Sequence, residues 1–322
     1  MLTSSILASV TNETEGERTM SIRHPIIVVT GSSGAGTTTV KEAFAHVFRR
    51  EGISPAVVEG DSFHRYNRAE MKRKTAEAEQ EGCRRFSHFG PEANLLEELE
   101  HLFYTYGKTG SGKRRLYLHN EDEAIPYAHL GISAGEFTPW DVIPPQTDLL
   151  FYEGLHGCVQ TESVNVARHA DLKIGVVPVI NLEWIQKIHR DTKERGYSGQ
   201  MVMDTILRRM YDYVHYIVPQ FKTTDINFQR VPVVDTSDPI IARDIPTADE
   251  SLVVIRFRKP EKFGVDFLYL LQMLHNSWMS RRNTIVIPGG KMGLAMELIL
   301  TPIIRRIMTE RQRVLGSEMA TT

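Results

Sequence analysis

Ile26-Ile27-Val28-Val29-Thr30-Gly31-Ser32-Ser33-Gly34-Ala35-Gly36-Thr37-Thr38-Thr39 runs from an apolar stretch into a glycine-rich turn, and Val40-Lys41-Glu42-Ala43-Phe44 follows with a helical pattern. A strand, a glycine turn and a helix in that order form the context of a phosphate-binding P-loop. Glycines let the backbone curl and take positive φ. The curled N–H groups and the N-terminus of the next helix then converge on one anion. Gly31, Ser32, Ser33, Gly34, Ala35, Gly36, Thr37, Thr38 and Thr39 are therefore the candidate nucleotide-phosphate ligands, with the Thr38 hydroxyl placed to ligate Mg²⁺. The usual pattern G-x-x-x-x-G-K-[ST] has lysine where this chain has Thr37. The cation for the β- and γ-phosphates must then come from elsewhere, and an ordinary glycine-rich βα turn is the alternative reading.

The 322 residues suffice for one large α/β domain or two smaller ones, and an apolar fraction of 41% supports a real core. A net charge of −2 provides no global field for nucleic acid or an anionic membrane. Cys83 and Cys158 are far apart in no metal-like spacing, which suits a reducing, cytoplasmic setting. No apolar run approaches the ~20 residues of a membrane span. Residues 1–19 are polar and lack the basic start of a signal peptide. They read as a disordered tail or as residues ahead of the true start at Met20.

Outward from the glycine turn, strands and helices alternate. Strands are expected over 23–30, 55–59, 114–119, 148–154, 171–179, 230–234, 252–257 and 283–288. Helices are expected over 38–51, 70–81, 93–106, 201–221, 266–280 and 294–315. The helix after the turn carries Val40, Phe44, Val47 and Phe48 on one face. Residues 120–145 read as an irregular insertion. This alternation predicts an α/β fold with a central, mostly parallel mixed sheet flanked by helices, as one domain over 20–315 followed by a tail at 316–322. Gly107-Lys108-Thr109-Gly110-Ser111-Gly112-Lys113 fits G-x-x-x-x-G-K better than the first loop does. It follows a helix, Arg114 replaces the Ser/Thr, and no helix begins after it, so it reads as a basic turn.

Three further groups could carry chemistry. Glu153 ends a buried apolar strand, where an acid holds Mg²⁺ directly or through water; a solvated strand-end acid fits it equally well. Gly60-Asp61-Ser62-Phe63-His64-Arg65-Tyr66-Asn67-Arg68 follows another strand, at the edge where open α/β sheets bind ligands. There Asp61 could accept a hydroxyl proton, and His64 and Arg68 could hold a phosphorylated substrate. Finally, Lys187, Arg190, Asp191 and Arg195 fall at about 0°, −60°, +40° and +80° around a helix, one broad face of three cations and one carboxylate. That face could grip phosphates for a loop that lacks its own lysine, or be a solvated, salt-bridged surface.

Taken together, these groups resemble the phosphoribulokinases of the bacterial class. The likeness runs from about Met20 to Leu315. It rests on His24 to Thr39, on Glu-Gly-Asp-Ser-Phe-His-Arg at 59–65, on Phe-Tyr-Glu-Gly-Leu-His-Gly at 151–157, and on Lys187-x-x-Arg-Asp-x-x-x-Arg-Gly. The resemblance implies a P-loop kinase fold similar to nucleoside monophosphate kinases, for which a lysine-free loop is a family trait. It implies transfer of the γ-phosphoryl of ATP to O1 of ribulose 5-phosphate, with Mg²⁺, in the Calvin cycle. By the same resemblance Asp61 is the general base. Lys187 and Arg190 stabilise the transferred phosphoryl, Asp191 and Glu153 with Thr38 surround the metal, and His64, Arg68 and Arg195 bind the sugar phosphate. Gln200 stands where the family motif has Glu. Bacterial members are typically octamers activated by NADH and inhibited by AMP. Arg208, Arg209, Arg256 and Arg281 match basic positions linked to that response. The alternatives are a uridine-kinase-like nucleoside kinase, which would keep the loop lysine, and a non-catalytic P-loop protein. A GTP switch would need an Asn-Lys-x-Asp guanine reader, which the chain lacks.

Overall fold

The computed structural model describes residues 22–32, 37–193, 196–242 and 244–319. Ser33, Gly34, Ala35 and Gly36 of the expected loop, Arg195 and the segment 1–19 lie outside the described residues.

The apolar run becomes strand β1 (Ile26–Gly31), buried along its whole length. Its alternate side chains feed two different cores. Ile27 and Val29 pack with Val40, Phe44, Val47 and Phe48 of helix α1 (Thr37–Glu51), while Ile26 and Val28 pack with Leu96, Leu99, Leu102 and Phe103 of the helix at Leu96–Thr109. A strand covered on both faces reads as a continuous hydrophobic stretch because neither face meets water.

The remaining strands of the main sheet are β2 (Pro55–Glu59), β3 (Leu149–Gly154), β4 (Leu172–Val177), β5 (Ile226–Pro232), β6 (Ser251–Phe257), β7 (Trp278–Arg281) and β8 (Thr284–Pro288). They lie in the order β2-β3-β1-β4-β5-β6-β8-β7. The five strands from β2 to β5 are mutually parallel, and β6, β8 and β7 extend the sheet by antiparallel pairing. The helices after α1 are α2 (Arg68–Gln80), α3 (Leu96–Thr109), α4 (Ile180–Lys193), α5 (Gly199–Asp212), α6 (Phe267–Met273) and α7 (Met292–Met319). The α/β expectation of a mostly parallel mixed sheet flanked by helices holds. The parallel register sets Val29 and Glu59 level with Glu153, so the carboxyl ends of β1, β2 and β3 share one edge.

Several elements differ from expectation. The expected strand over 230–234 is shifted to Ile226–Pro232, because Ile226 and Phe228 are the inward residues that pair with β4 and join the core. The expected helix over 266–280 stops at Met273; Asn276 takes φ 62, and the chain turns into β7, which pairs with β8. The long helix from 201 is α-helical only to Asp212, then passes through a π turn and a 3₁₀ turn that contains Pro219. The expected strand over 114–119 shrinks to Lys113–Arg114, paired with Asp141–Val142, plus a single Tyr117–Phe137 bridge. The closing helix continues beyond Leu315 to Met319. The second glycine motif caps α3: Gly110 takes φ 69 and its N–H donates to the Tyr106 carbonyl at 2.8 Å. It is therefore a helix terminus, not a loop opening a helix.

Candidate active site

Two glycines create the edge on which Asp61 sits. A Cβ at Gly60 would lie 2.6 Å from Tyr152 Oη and 2.8 Å from Gly154 Cα, and one at Gly154 would lie 2.6 Å from Gly60 Cα. Only glycine at both places lets the ends of β2 and β3 touch. The chain then makes a short 3₁₀ turn, Gly60–Phe63, which presents Asp61 beside the strand that carries Glu153. On β2 itself, Glu59 pairs with Lys41 of α1.

The turn is held from several directions. Arg115 donates from Nε to the Ser62 carbonyl at 2.8 Å and from Nη2 to the His64 carbonyl at 2.6 Å. Its guanidinium lies 3.7 Å from the Phe137 ring centroid and 4.8 Å from that of Trp140. The Leu95 N–H donates to the Phe63 carbonyl and the Arg65 N–H to the Ala93 carbonyl, both at 2.8 Å. Arg115, Ala93 and Leu95 read in the sequence only as parts of an expected strand and helix, because nothing local marks a partner about thirty to fifty residues distant in the chain.

Around the Asp61 carboxylate stand histidines. His64 Nε2 lies 3.2 Å from Oδ1 and His119 Nε2 3.7 Å from Oδ2. The His88 ring packs against His64 with centroids 4.3 Å apart and planes tilted by 37°. Burial pushes the Asp61 carboxyl up, but the His64 hydrogen bond and the charges of His64, His119 and His88 outweigh it, holding the group well below the ordinary carboxylate range. His88 is pushed well below its ordinary value by burial and by the charge of His64. His156, which faces the Phe89 carbonyl at 3.0 Å, is lowered to about 4 by burial. Asp61 and His64 are thus brought together as expected, while His88 and His119 are additional. Arg68 opens α2, behind an Asn67–Glu70 capping box, and its Nη2 donates to the His119 carbonyl at 2.7 Å.

The second group lies on α4. Lys187 pairs with Asp191 one turn on, and Arg190 Nε approaches Asp191 Oδ1 at 3.3 Å. Asp191 is buried. Burial, with the charge of Arg209, lowers the Lys187 ammonium to about 8 despite its Asp191 partner. A cavity beside Lys187 is lined by Phe89, Glu183, Ile206, Arg209 and Tyr213. Burial pushes the Glu183 carboxyl up.

The four arginines matched to regulation divide between the two ends of the sheet. Arg209 lines the cavity with Lys187 and Arg208 pairs with Glu79 of α2. Arg256 stands opposite Asn227, near the amino end of β5, and Arg281 is level with Thr284, which pairs with Arg256. Gln200 is exposed in the first turn of α5 and donates to Asp204 at 2.9 Å.

Of the two acids considered for Mg²⁺, Glu153 ends β3 at the edge it shares with β1 and β2, and Asp191 is buried on α4 against Lys187 and Arg190. The described residues hold no cluster of three or more potential ligands. Mg²⁺ takes one or two carboxylates and completes its shell with water and substrate phosphates, so single carboxylates of this kind fit it. Among the described residues no helix is long and apolar enough to cross a membrane.

The Phosphoribulokinase / Uridine kinase family profile matches residues 26–237. A chromosomal phosphoribulokinase of Cupriavidus necator is 63% identical over 294 residues, covering 91% of this chain and 99% of that protein. Phosphoribulokinase 2 of Cereibacter sphaeroides is 60% identical over 294 residues, again covering 91% of this chain and 99% of the relative. The solved structure of a Rhodobacter spheroides phosphoribulokinase superposes with a TM-score of 0.82 at 58% identity, over 90% of this chain and 99% of that one. The profile match and the near-complete overlap with these relatives place the chain in the Phosphoribulokinase / Uridine kinase family.

Proposed function

We propose that this chain transfers the γ-phosphoryl group of ATP to O1 of ribulose 5-phosphate, giving ribulose 1,5-bisphosphate and ADP in the Calvin cycle. The observation that carries the reading is identity of about 60% with curated phosphoribulokinases along almost their entire length. The uridine-kinase alternative has no comparable support.

Residues 31–39 receive the ATP phosphates on backbone N–H groups. Glu153 and Asp191, with the Thr38 hydroxyl, would hold Mg²⁺, which would supply neutralisation of phosphate charge. Asp61 accepts the proton of the O1 hydroxyl as the O1–phosphorus bond forms. Its depressed pKa keeps it ionised at neutral pH but makes it a weak base. That is compatible with a loose transition state, in which the nucleophile gives up its proton late. Lys187 and Arg190 stand in for the absent loop lysine, exchanging Asp191 for the negative charge on the transferred group. Arg68 and Arg195 hold the C5 phosphate; His64, with Nδ1 on Asn94 and Nε2 on Asp61, serves the O1 end of the substrate site instead.

We also propose one catalytic domain over 20–315, assembled as a cytoplasmic homo-oligomer, octameric by resemblance, activated by NADH and inhibited by AMP. Cys83 is exposed and Cys158 is buried, neither within the nucleotide loop, so dithiol reduction should leave the rate unchanged. The deciding experiment is product identification by ³¹P NMR. A second phosphomonoester coupled to the C1 protons supports the assignment, and phosphate released only as the free ion refutes it.

A further inference from the structure

Asn94 is 1% exposed and makes three side-chain hydrogen bonds, one of them to His64 beside Asp61. Its Nδ2 donates to the His88 carbonyl at 2.9 Å and to the Gly90 carbonyl at 2.6 Å. Carbonyls accept and never donate, so the amide nitrogen must face them and Oδ1 must face the other way. Oδ1 lies 2.8 Å from His64 Nδ1. An amide oxygen carries no hydrogen, so Nδ1 carries the proton. The one nitrogen of that ring left to gain or lose a proton is Nε2, and it lies 3.2 Å from Asp61 Oδ1.

We propose that Asn94 is a positioning residue that locks His64 in its Nδ1–H form, so that the catalytic base is a coupled Asp61–His64 pair. This rests on Asp61 being the base of the proposed reaction. As O1 of the sugar loses its proton, the O1–phosphorus bond forms and the bond from phosphorus to the β–γ bridging oxygen breaks, releasing ADP. The proton passes to Asp61. With Nε2 unprotonated it moves on to Nε2, and the carboxylate stays anionic beside the substrate. With Nε2 already protonated it stays on Asp61. In the opposite tautomer Nε2 would carry the ring's proton and Nδ1 its lone pair, so a neutral ring could take no proton from Asp61.

The groups facing the pair are accounted for from each packed element. Asp61 and His64 come from the turn, His88 from the following loop, and Arg115 and His119 from the segment beyond α3, with the Tyr117 ring edge-on to His64. His156 comes from the loop after β3, is buried, and feels the charges of His64 and Asp61.

The tautomer is read directly by ¹⁵N NMR of the histidine-labelled, substrate-free wild-type protein. Nδ1 protonated and Nε2 bare in the neutral His64 ring is the expected result, and a ring doubly protonated across the whole pH range of activity overturns the coupled base. A neutral ring protonated at Nε2 with a bare Nδ1 overturns the proposal. This arm needs no turnover, so it fails or stands independently of the phosphotransfer reading. The second arm is the pH profile of kcat for Asn94→Ala. We expect about a tenfold loss of kcat, within the range for perturbing a general base. The acid limb should also move by about half a pH unit or more, with the KM for ATP unchanged. An acid limb at the wild-type position, whatever happens to Tm, would mean a purely structural role. Should Asn94→Ala fail to fold, the wild-type spectrum still decides.

Discussion

The turn after β2 and the helix α4 both bring charge to the ligand edge, but they hold it in opposite ways. The Asp61 turn is tied to the rest of the molecule by Arg115, Asn94 and two backbone hydrogen bonds, each to a distant segment. On α4, Lys187, Arg190 and Asp191 partner one another within a single turn of helix. The turn is a fixed frame, which general-base geometry requires. The helix carries a local group of charges whose cations would turn to phosphate when a stronger anion arrives. A proton acceptor must not move, whereas a phosphate grip can rearrange.

That contrast can be broken most sharply at Asp61. Asp61→Asn keeps the shape and the hydrogen bonding but cannot take a proton. Its kcat should fall by about 10²–10⁴-fold, with substrate binding nearly unchanged. Next, Lys187→Met should lower kcat by about 10²-fold, as expected for losing one preorganised charge on the transferred group. The lowered Lys187 pKa gives this a pH signature. Below about 8 the ammonium is charged and above it the charge is lost, so kcat/KM should fall on an alkaline limb near that pH. Lys187→Arg, which does not deprotonate, should remove the limb even if the plateau is lower.

Arg115→Met tests the frame. It leaves two backbone carbonyls without their donor, which should cost about 1–3 kcal/mol in stability and raise the KM for the sugar phosphate. Wild-type Tm and KM together would show that the turn does not depend on it. Arg68→Ala should raise the sugar-phosphate KM by about tenfold at constant kcat, because a contact to the non-reacting phosphate is made equally in ground and transition states. The smallest effect is expected from a chain beginning at Met20, which should keep its rate and Tm; loss of either would show that residues 1–19 support the domain.

The sequence was most legible where one local pattern decides the structure. The uninterrupted apolar run of β1 and the stripe Val40, Phe44, Val47, Phe48 gave the first strand and helix, and spacing alone put Lys187, Arg190 and Asp191 on one turn. Legibility failed where a tertiary partner decides. The strand expected over 230–234 gives way to Ile226–Pro232, which pairing with β4 and β6 selects. The helix expected over 266–280 stops at Met273, because a left-handed Asn276 and pairing with β8 impose β7. Asp61, His64 and Arg68 were visible as a polar cluster after a strand. His88, Asn94, Arg115 and His119 reach the same place through long-range contacts that no local spacing encodes.

The most direct test of the assignment couples ADP release to the two acceptors of the family name, ribulose 5-phosphate and uridine, for wild type and Asp61→Asn. ADP release with ribulose 5-phosphate alone, lost in Asp61→Asn by about a hundredfold or more, is the predicted result. Release with uridine but not ribulose 5-phosphate, or near-normal turnover by Asp61→Asn at saturating substrates, would contradict it.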